Sequence, residues 1–285
     1  MTDPHTPTTP RTIVITGATN GLGLESALQI AAAGHRLVLV GRSPDKLASA
    51  SEAVRSAGAA SVETVVADYE SLDSVRLAAK EIRRICPRID VLVNNAGTVY
   101  ASRTLTADGY EATFQVNHLS GFLLTELLKD VLVASAPARI VNTSSTGHFS
   151  GTMDFDDLGL EKGYQIMRAY GRSKLANILH ARSLAAELES AGVTANALHP
   201  GAVATDIWSG APWWSRPALA VAKRFMRKPA EGGASITYLA IDPEVEGRTG
   251  GYYDVDTLKE PSEIAQDDAV RDRLRQVSLE LVGLA

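Results

Sequence analysis

The chain has 285 residues, 45% of them hydrophobic and 21% charged, the balance of an average soluble globular protein with enough apolar material for a large α/β core. A formal net charge of −5 argues against a nucleic-acid binder held by phosphate contacts, and Cys86, the single cysteine, excludes an intramolecular disulfide. Met1–Pro10 is a Thr- and Pro-rich stretch read as a disordered tail, and no run of about 18 apolar residues follows, so a cytoplasmic protein without a transmembrane segment is expected.

From Thr12 onward, short β-branched runs alternate with longer helical ones. Thr12-Ile-Val-Ile-Thr16 reads as a strand, followed by a helix from about Leu22 to Ala33 that stops at Gly34. Arg36-Leu-Val-Leu-Val40 is the next strand, Pro44–Ala57 the next helix, then Ser61–Val66 and a helix over Leu72–Ile85 closed by Pro87. Strands at Ile89–Val93 and Arg139–Thr143 flank helical sequence over Tyr110–Ala134; a helix over Tyr164–Ser190 leads into a strand at Val193–Leu198. Apolar strands separated by helices imply right-handed crossovers and a Rossmann-type doubly wound parallel sheet, and with no repeat or linker to divide it, residues 11–285 read as one domain.

Such sheets bind ligands at the carboxyl ends of their strands, and the chemistry-bearing residues collect there. The first strand runs into Thr16-Gly-Ala-Thr-Asn-Gly-Leu-Gly23, whose glycines Gly17, Gly21 and Gly23 let a backbone approach a pyrophosphate at a helix N-terminus. The second strand ends in Gly41-Arg42-Ser43 and carries no carboxylate; Arg42 suits a 2′-phosphate, which points to NADP(H). Tyr170 and Lys174 lie four apart, on one face of a helix, where an ammonium is expected to lower the phenol's pKa and ready it for proton transfer.

Together these residues make the chain resemble the short-chain dehydrogenase/reductase superfamily over almost all of Arg11–Leu284. The carriers, in order, are Thr16–Gly23, Asp68, Asn94-Asn-Ala-Gly97, Asn117, Val141-Asn-Thr-Ser-Ser145, Tyr170 with Lys174, and Pro200-Gly-Ala-Val-Ala-Thr205. Within it the chain is most similar to the retinol-dehydrogenase-like group, through Gly41-Arg42, Tyr170-Gly-Arg-Ser-Lys-Leu-Ala-Asn177, the Ser145–Tyr170 insert, and Gly250-Gly-Tyr-Tyr253 through Glu260-Pro-Ser262. Many animal members of that group carry an amino-terminal membrane anchor, and none is expected here. The insert carries Asp154, Asp156 and Asp157 and is expected to be partly solvent-facing.

The resemblance implies hydride transfer between a nicotinamide and a carbonyl or alcohol carbon. It assigns catalysis to Asn117, Ser145, Tyr170 and Lys174, with Asn117 anchoring local backbone and a water beside Lys174. Family spacing selects Ser145 over Ser144 as the substrate-oxygen donor. The implied cofactor contacts are Gly17, Thr19, Asn20, Gly21, Leu22, Gly23, Arg42, Asp68, Tyr69, Asn95, Ala96, Gly97, Pro200, Gly201, Val203 and Thr205, besides Tyr170 and Lys174; Asn94 is placed with Gly97 at the cofactor floor. Asp68 is assigned to the adenine amino group, with an N-cap for the Leu72 helix as the alternative, although Ser71 suits that cap better. A homodimer or homotetramer pairing through the two long helices is a further expectation from resemblance.

Residues 206–228 are expected to form a substrate lid; Trp208, Trp213, Trp214, Phe225 and Met226 suit a lipophilic substrate or the lid's own small core, and Lys223, Arg224, Arg227 and Lys228 form a basic face. His118, His148, His180 and His199 are scattered without metal-ligand spacing, so no metal is expected, and His148 is the one placed near the substrate mouth. A carbon–carbon double-bond reductase and a non-catalytic NADP-sensing protein are the competing readings on the same fold.

Overall fold

The computed structural model describes residues 9–203 and 226–285. Seven parallel strands and one antiparallel edge strand form a single sheet of order β3-β2-β1-β4-β5-β6-β7-β8. The strands are β1 (Thr12–Thr16), β2 (Arg36–Gly41), β3 (Ser61–Val66), β4 (Val91–Asn94), β5 (Ala138–Thr143), β6 (Val193–His199), β7 (Tyr252–Asp254) and β8 (Thr257–Lys259). Side chains alternate across a strand, so each central strand feeds two cores. Ile13, Ile15, Val91, Val93 and Val141 pack on one face with α1 (Gly21–Ala32), α2 (Pro44–Ser56) and α7 (Pro229–Ile241). Val14, Leu92 and Ile140 pack on the other with α3 (Leu72–Ile85), α5 (Ser120–Ala134), α6 (Ile166–Leu188) and the carboxyl-terminal helix α9 (Asp268–Leu281). The short helices α4 (Ala112–Phe114) and α8 (Glu263–Gln266) pack on that second face too, through Phe114 and Ala265. The order reverses between β1 and β4, which opens the crevice expected to take a ligand.

Local signals account for most boundaries. Ser43 and Ser71 accept from the amides of Lys46 and Ser74, capping α2 and α3, each such cap stabilising its helix by about 1 kcal/mol. The helical run expected over Tyr110–Ala134 is present from Ala112, with a π-helical turn over Gln115–Leu119 that joins α4 to α5 and holds Asn117. Its register shift cannot be seen in apolar spacing, because every residue of the turn is buried. The β7–β8 hairpin went unpredicted because three-residue strands are too short to show a period, although Tyr252 and Tyr253 anchor it in opposite cores.

The face of the two long helices is partly occupied within the chain itself. Helix α9 of the same chain lies on α6, with Arg182 bound to Asp268 at 3.0 Å. Arg275 reaches Glu126 on α5 and Glu187 on α6 at 2.8 Å each, and Lys129 joins the same two carboxylates. The chain thus covers much of the surface through which the two long helices were to meet a second copy. Among the described residues, no helix is long and apolar enough to cross a membrane.

Candidate active site

A cavity of about 1320 Å³ runs along the carboxyl ends of β1 to β6. At one end the β1–α1 turn lies under it, with Gly17 at φ 66° and Gly21 at φ 51°, conformations that a side chain would strain. A Cβ on Gly23 would stand 2.3 Å from the Gly17 carbonyl, so Gly23 serves close packing of helix on turn and does not line the cavity. Gly17, Thr19, Asn20, Gly21 and Leu22 do line it. Asn20 makes no side-chain cap to α1, which leaves the helix's first amides unclaimed by it. Amides at a helix start, a backbone approach that tolerates no Cβ, and a cavity larger than most small-molecule pockets fit a dinucleotide.

Arg42, Asp68, Tyr69, Asn95, Ala96, Gly97, Pro200, Gly201 and Val203 also line the cavity. The Thr16 hydroxyl accepts from the amides of Asn95 and Ala96, and Asn95 Nδ2 donates to the Thr16 carbonyl at 2.9 Å, tying β4 to the turn. Asn94 is a correction: its amide donates to Thr125 Oγ1 and Asn142 Oδ1, within a buried network and away from the floor. Asp68 does not cap α3, since Ser71 does; its Oδ1 accepts from the Glu70 amide at 3.0 Å. Arg42 is already engaged, by Glu70 at 3.1 Å. Thr205 and the lid residues Trp208, Trp213, Trp214, Lys223, Arg224 and Phe225 lie outside the described residues; Met226 lines the cavity and Arg227 pairs with Glu231.

At the other end, Ser145, Tyr170 and Lys174 share one wall. Ser144 and Ser145 diverge as strand alternation requires: Ser144 Oγ donates to the Lys174 carbonyl at 2.7 Å, while Ser145 Oγ lies beside Tyr170 and accepts from the Gly147 amide. Lys174 Nζ donates to the Thr143 carbonyl at 3.1 Å and sits 5.6 Å from the Tyr170 ring centre. Asn117 is buried just behind. Its Nδ2 donates to the Thr98 carbonyl and to Ser173 Oγ, and its Oδ1 accepts from the Thr98 amide at 2.7 Å. The bare Cα of Gly97 leaves room there: a Cβ would stand 3.3 Å from Asn117 Oδ1 and 3.5 Å from Lys174 Nζ.

A family model described as short chain dehydrogenase matches residues 11–214, well over half the chain. The chain belongs to the short-chain dehydrogenase/reductase family. It is 38% identical to human retinol dehydrogenase 13, over 96% of this chain and 85% of the relative, which supports the retinol-dehydrogenase-like group. It is 41% identical to "Putative daunorubicin C-13 ketoreductase DnrU" of Streptomyces sp. (strain C5), over 98% and 95% of the two chains. Among solved structures it is similar to the Pseudomonas aeruginosa RhlG/NADP active-site complex, with a TM-score of 0.70, 26% identity, and coverage of 89% of this chain and 98% of the other.

The electrostatics of this oxidoreductase correct one expectation. Burial raises the Tyr170 phenol above its ordinary pKa and outweighs the hydrogen bond from Ser145 that lowers it. Burial also depresses Lys174, to about 8. The histidines are not scattered as expected. His118 and His180 meet under α9 with ring centres 5.9 Å apart, and burial pushes both down to about 3, so both are neutral. His148 does not reach the substrate mouth: it is fully buried, with Nδ1 2.7 Å from the Ser145 carbonyl and Nε2 accepting from the Ser262 amide. His199 lines the cavity instead.

Sequence reasoning missed the framework around these groups. Buried Arg172, inside Tyr170-Gly-Arg-Ser-Lys174, donates to the carbonyls of Thr152 and Asp157 and so binds the insert to the helix that carries Tyr170. Asp154 and Asp156 face solvent, as expected, and Asp157 is half-buried. Gly147 lies against Tyr170: a Cβ there would stand 3.1 Å from the ring. Gly147→Ala should therefore displace the ring by a few tenths of an ångström and lower turnover about tenfold with cofactor affinity unchanged. Steady-state rates beside a cofactor titration measure both, and unchanged turnover would show that the ring's seat is not critical.

Proposed function

We propose that this chain is an NADP(H)-dependent oxidoreductase that interconverts a carbonyl and an alcohol on a lipophilic small molecule. The observation that carries this reading is the convergence of Ser145, Tyr170 and Lys174 on one wall of the cavity whose far end holds Arg42. When bound, the nicotinamide supplies or accepts the hydride; the side chains manage the proton and the geometry. Tyr170 Oη gives its proton to the substrate oxygen in reduction and takes it back in oxidation. Ser145 Oγ hydrogen-bonds that oxygen and keeps it in line. The Lys174 ammonium, while protonated, attracts ribose hydroxyls and electron density at the phenol, and Asn117 holds the Thr98 backbone and Ser173 around it.

Arg42 favours a 2′-phosphate through charge-assisted hydrogen bonds, and Thr205 is the proposed carboxamide contact. The lipophilic substrate is supported by Val99, Met167, Val203 and Met226 along the cavity, and by relatives named for retinol and daunorubicin. A cytoplasmic location and a homo-oligomer complete the proposal, the latter by a surface other than the one α9 covers.

A panel of bulky aldehydes and ketones, followed by cofactor oxidation and product analysis, tests the reaction. Alcohol is the expected product, whereas a saturated carbonyl would favour double-bond reduction. The expected kcat/KM for NADPH exceeds that for NADH by about tenfold, on the order of one ion pair. A preference for NADH would overturn the Arg42 assignment.

A further inference from the structure

The end of β2 carries no acidic residue, yet the folded chain brings one there from the end of β3. Glu70 Oε1 accepts from Arg42 Nη1 at 3.1 Å and from the Tyr100 hydroxyl at 2.6 Å. Both donors are on the same oxygen; among the described residues Oε2 has no hydrogen-bond partner. Tyr100 is itself held, since the Tyr164 hydroxyl donates to its carbonyl at 2.9 Å, and it buttresses Glu70 from the insert side. Among the described residues, Arg42, Lys46, Asp68 and Glu70 line the same end of the cavity, two cations against two carboxylates. That end is therefore close to neutral, not the strongly positive pocket that Arg42 alone implies.

We propose that Glu70 is a cofactor-selecting residue of this site. Its carboxylate supplies an acceptor for the 2′-hydroxyl of a non-phosphorylated dinucleotide, and by pairing with Arg42 it weakens the attraction for a 2′-phosphate. The inference rests on the reading that Arg42 faces the adenosine ribose, and it makes the NADP preference moderate, with NAD accepted as a second cofactor. A 2′-phosphate meets one favourable guanidinium and one like charge a few ångströms away; a 2′-hydroxyl meets a carboxylate that is already oriented. Removing the negative charge while keeping the shape should move the two affinities in opposite directions.

The test is direct binding of NADP⁺ and NAD⁺, followed by tryptophan fluorescence at fixed ionic strength, to the wild type, Glu70→Gln and Arg42→Ala. Glu70→Gln is expected to tighten NADP⁺ by about threefold to tenfold and to loosen NAD⁺ by about threefold, in a protein of unchanged Tm. Raising the salt should shrink the NADP⁺ gain, because the pair is exposed. If Arg42→Ala loosens NADP⁺ but Glu70→Gln leaves the ratio of affinities unmoved, the proposal for Glu70 is overturned while the NADP reading stands. If Arg42→Ala leaves NADP⁺ binding unchanged, the NADP reading itself fails and the proposal fails with it.

Discussion

Replacing Tyr170 by phenylalanine should lower turnover by about 10²–10⁴-fold while cofactor affinity stays within about twofold. The change removes one oxygen and leaves the ring in its seat against Gly147, so the wall of the cavity keeps its shape. What disappears is the group that gives or takes the proton. The phenol is suited to giving it: buried at 8% exposure and held above its ordinary pKa, it stays protonated through neutral pH. Reduction should accordingly proceed at neutral pH, and oxidation should require more alkaline conditions, where the phenolate becomes accessible. Steady-state turnover in both directions, with a cofactor titration of the variant, checks the point. A variant that keeps more than about a fifth of wild-type turnover would remove Tyr170 from the chemistry.

Lys174→Met should abolish most turnover, by about 10²-fold or more, and at the same time make the protein more stable. The ammonium is fully buried among neutral groups, and burial alone depresses its pKa from 10.5 to about 8. A depressed lysine means that the folded state disfavours the charged form. Below about pH 8 both folded and unfolded chains hold the proton, and the folded chain carries the whole cost, on the order of 3 kcal/mol. Between about 8 and 10.5 the unfolded chain holds a proton that the folded chain has released, so wild-type stability should rise with pH across that window. The methionine variant should lack that rise.

Its loss of the Nζ hydrogen bond is cushioned, because the Thr143 carbonyl also accepts from Asn177 Nδ2 at 3.0 Å. Urea unfolding at pH 7 and pH 10 measures the difference, and a variant less stable than wild type at pH 7 would refute the account. Reduction by the wild type should also decline above about pH 8, as Lys174 loses the charge that it holds beside the phenol.

The doubly wound sheet was legible because its central strands are short, β-branched and apolar on both faces, and because glycine or proline marks most helix ends; those are local properties, written within a dozen residues. The glycine turn, Asn117, Ser145, Tyr170 and Lys174 could be picked out for a related reason: each occupies a strand end or a helix face whose position follows from the local pattern and from resemblance. Spacing even chose between Ser144 and Ser145, since alternation on β5 sends one hydroxyl to the Lys174 carbonyl and the other toward Tyr170. Asn94 against Asn95 poses the same question at the end of β4, and there Asn94 was assigned to the floor although Asn95 is the one that faces the turn.

What eluded the sequence is whatever depends on two distant segments meeting. Glu70 lies 28 residues from Arg42 and 30 from Tyr100, so no window along the chain shows the three-way contact at the Arg42 end of the cavity. The same holds for Arg172 and the insert it fastens, for His118 and His180 joined beneath α9, and for α9 itself, which uses Arg275 to occupy a surface expected to meet another subunit. The direction of the Tyr170 shift belongs with these. A lysine four residues away says that a positive charge is near, but only the packed structure says how dry the phenol is, and desolvation there outweighs the hydrogen bond from Ser145. The sequence by itself determined the order of elements, the candidate reacting groups and the strand ends that carry them, because periodicity and turn chemistry are local. The tertiary structure decided the charge balance at the Arg42 end of the cavity, the burial of Tyr170 and Lys174 and the packing of α9 on α6, because burial and long-range pairing exist only once the chain has closed on itself.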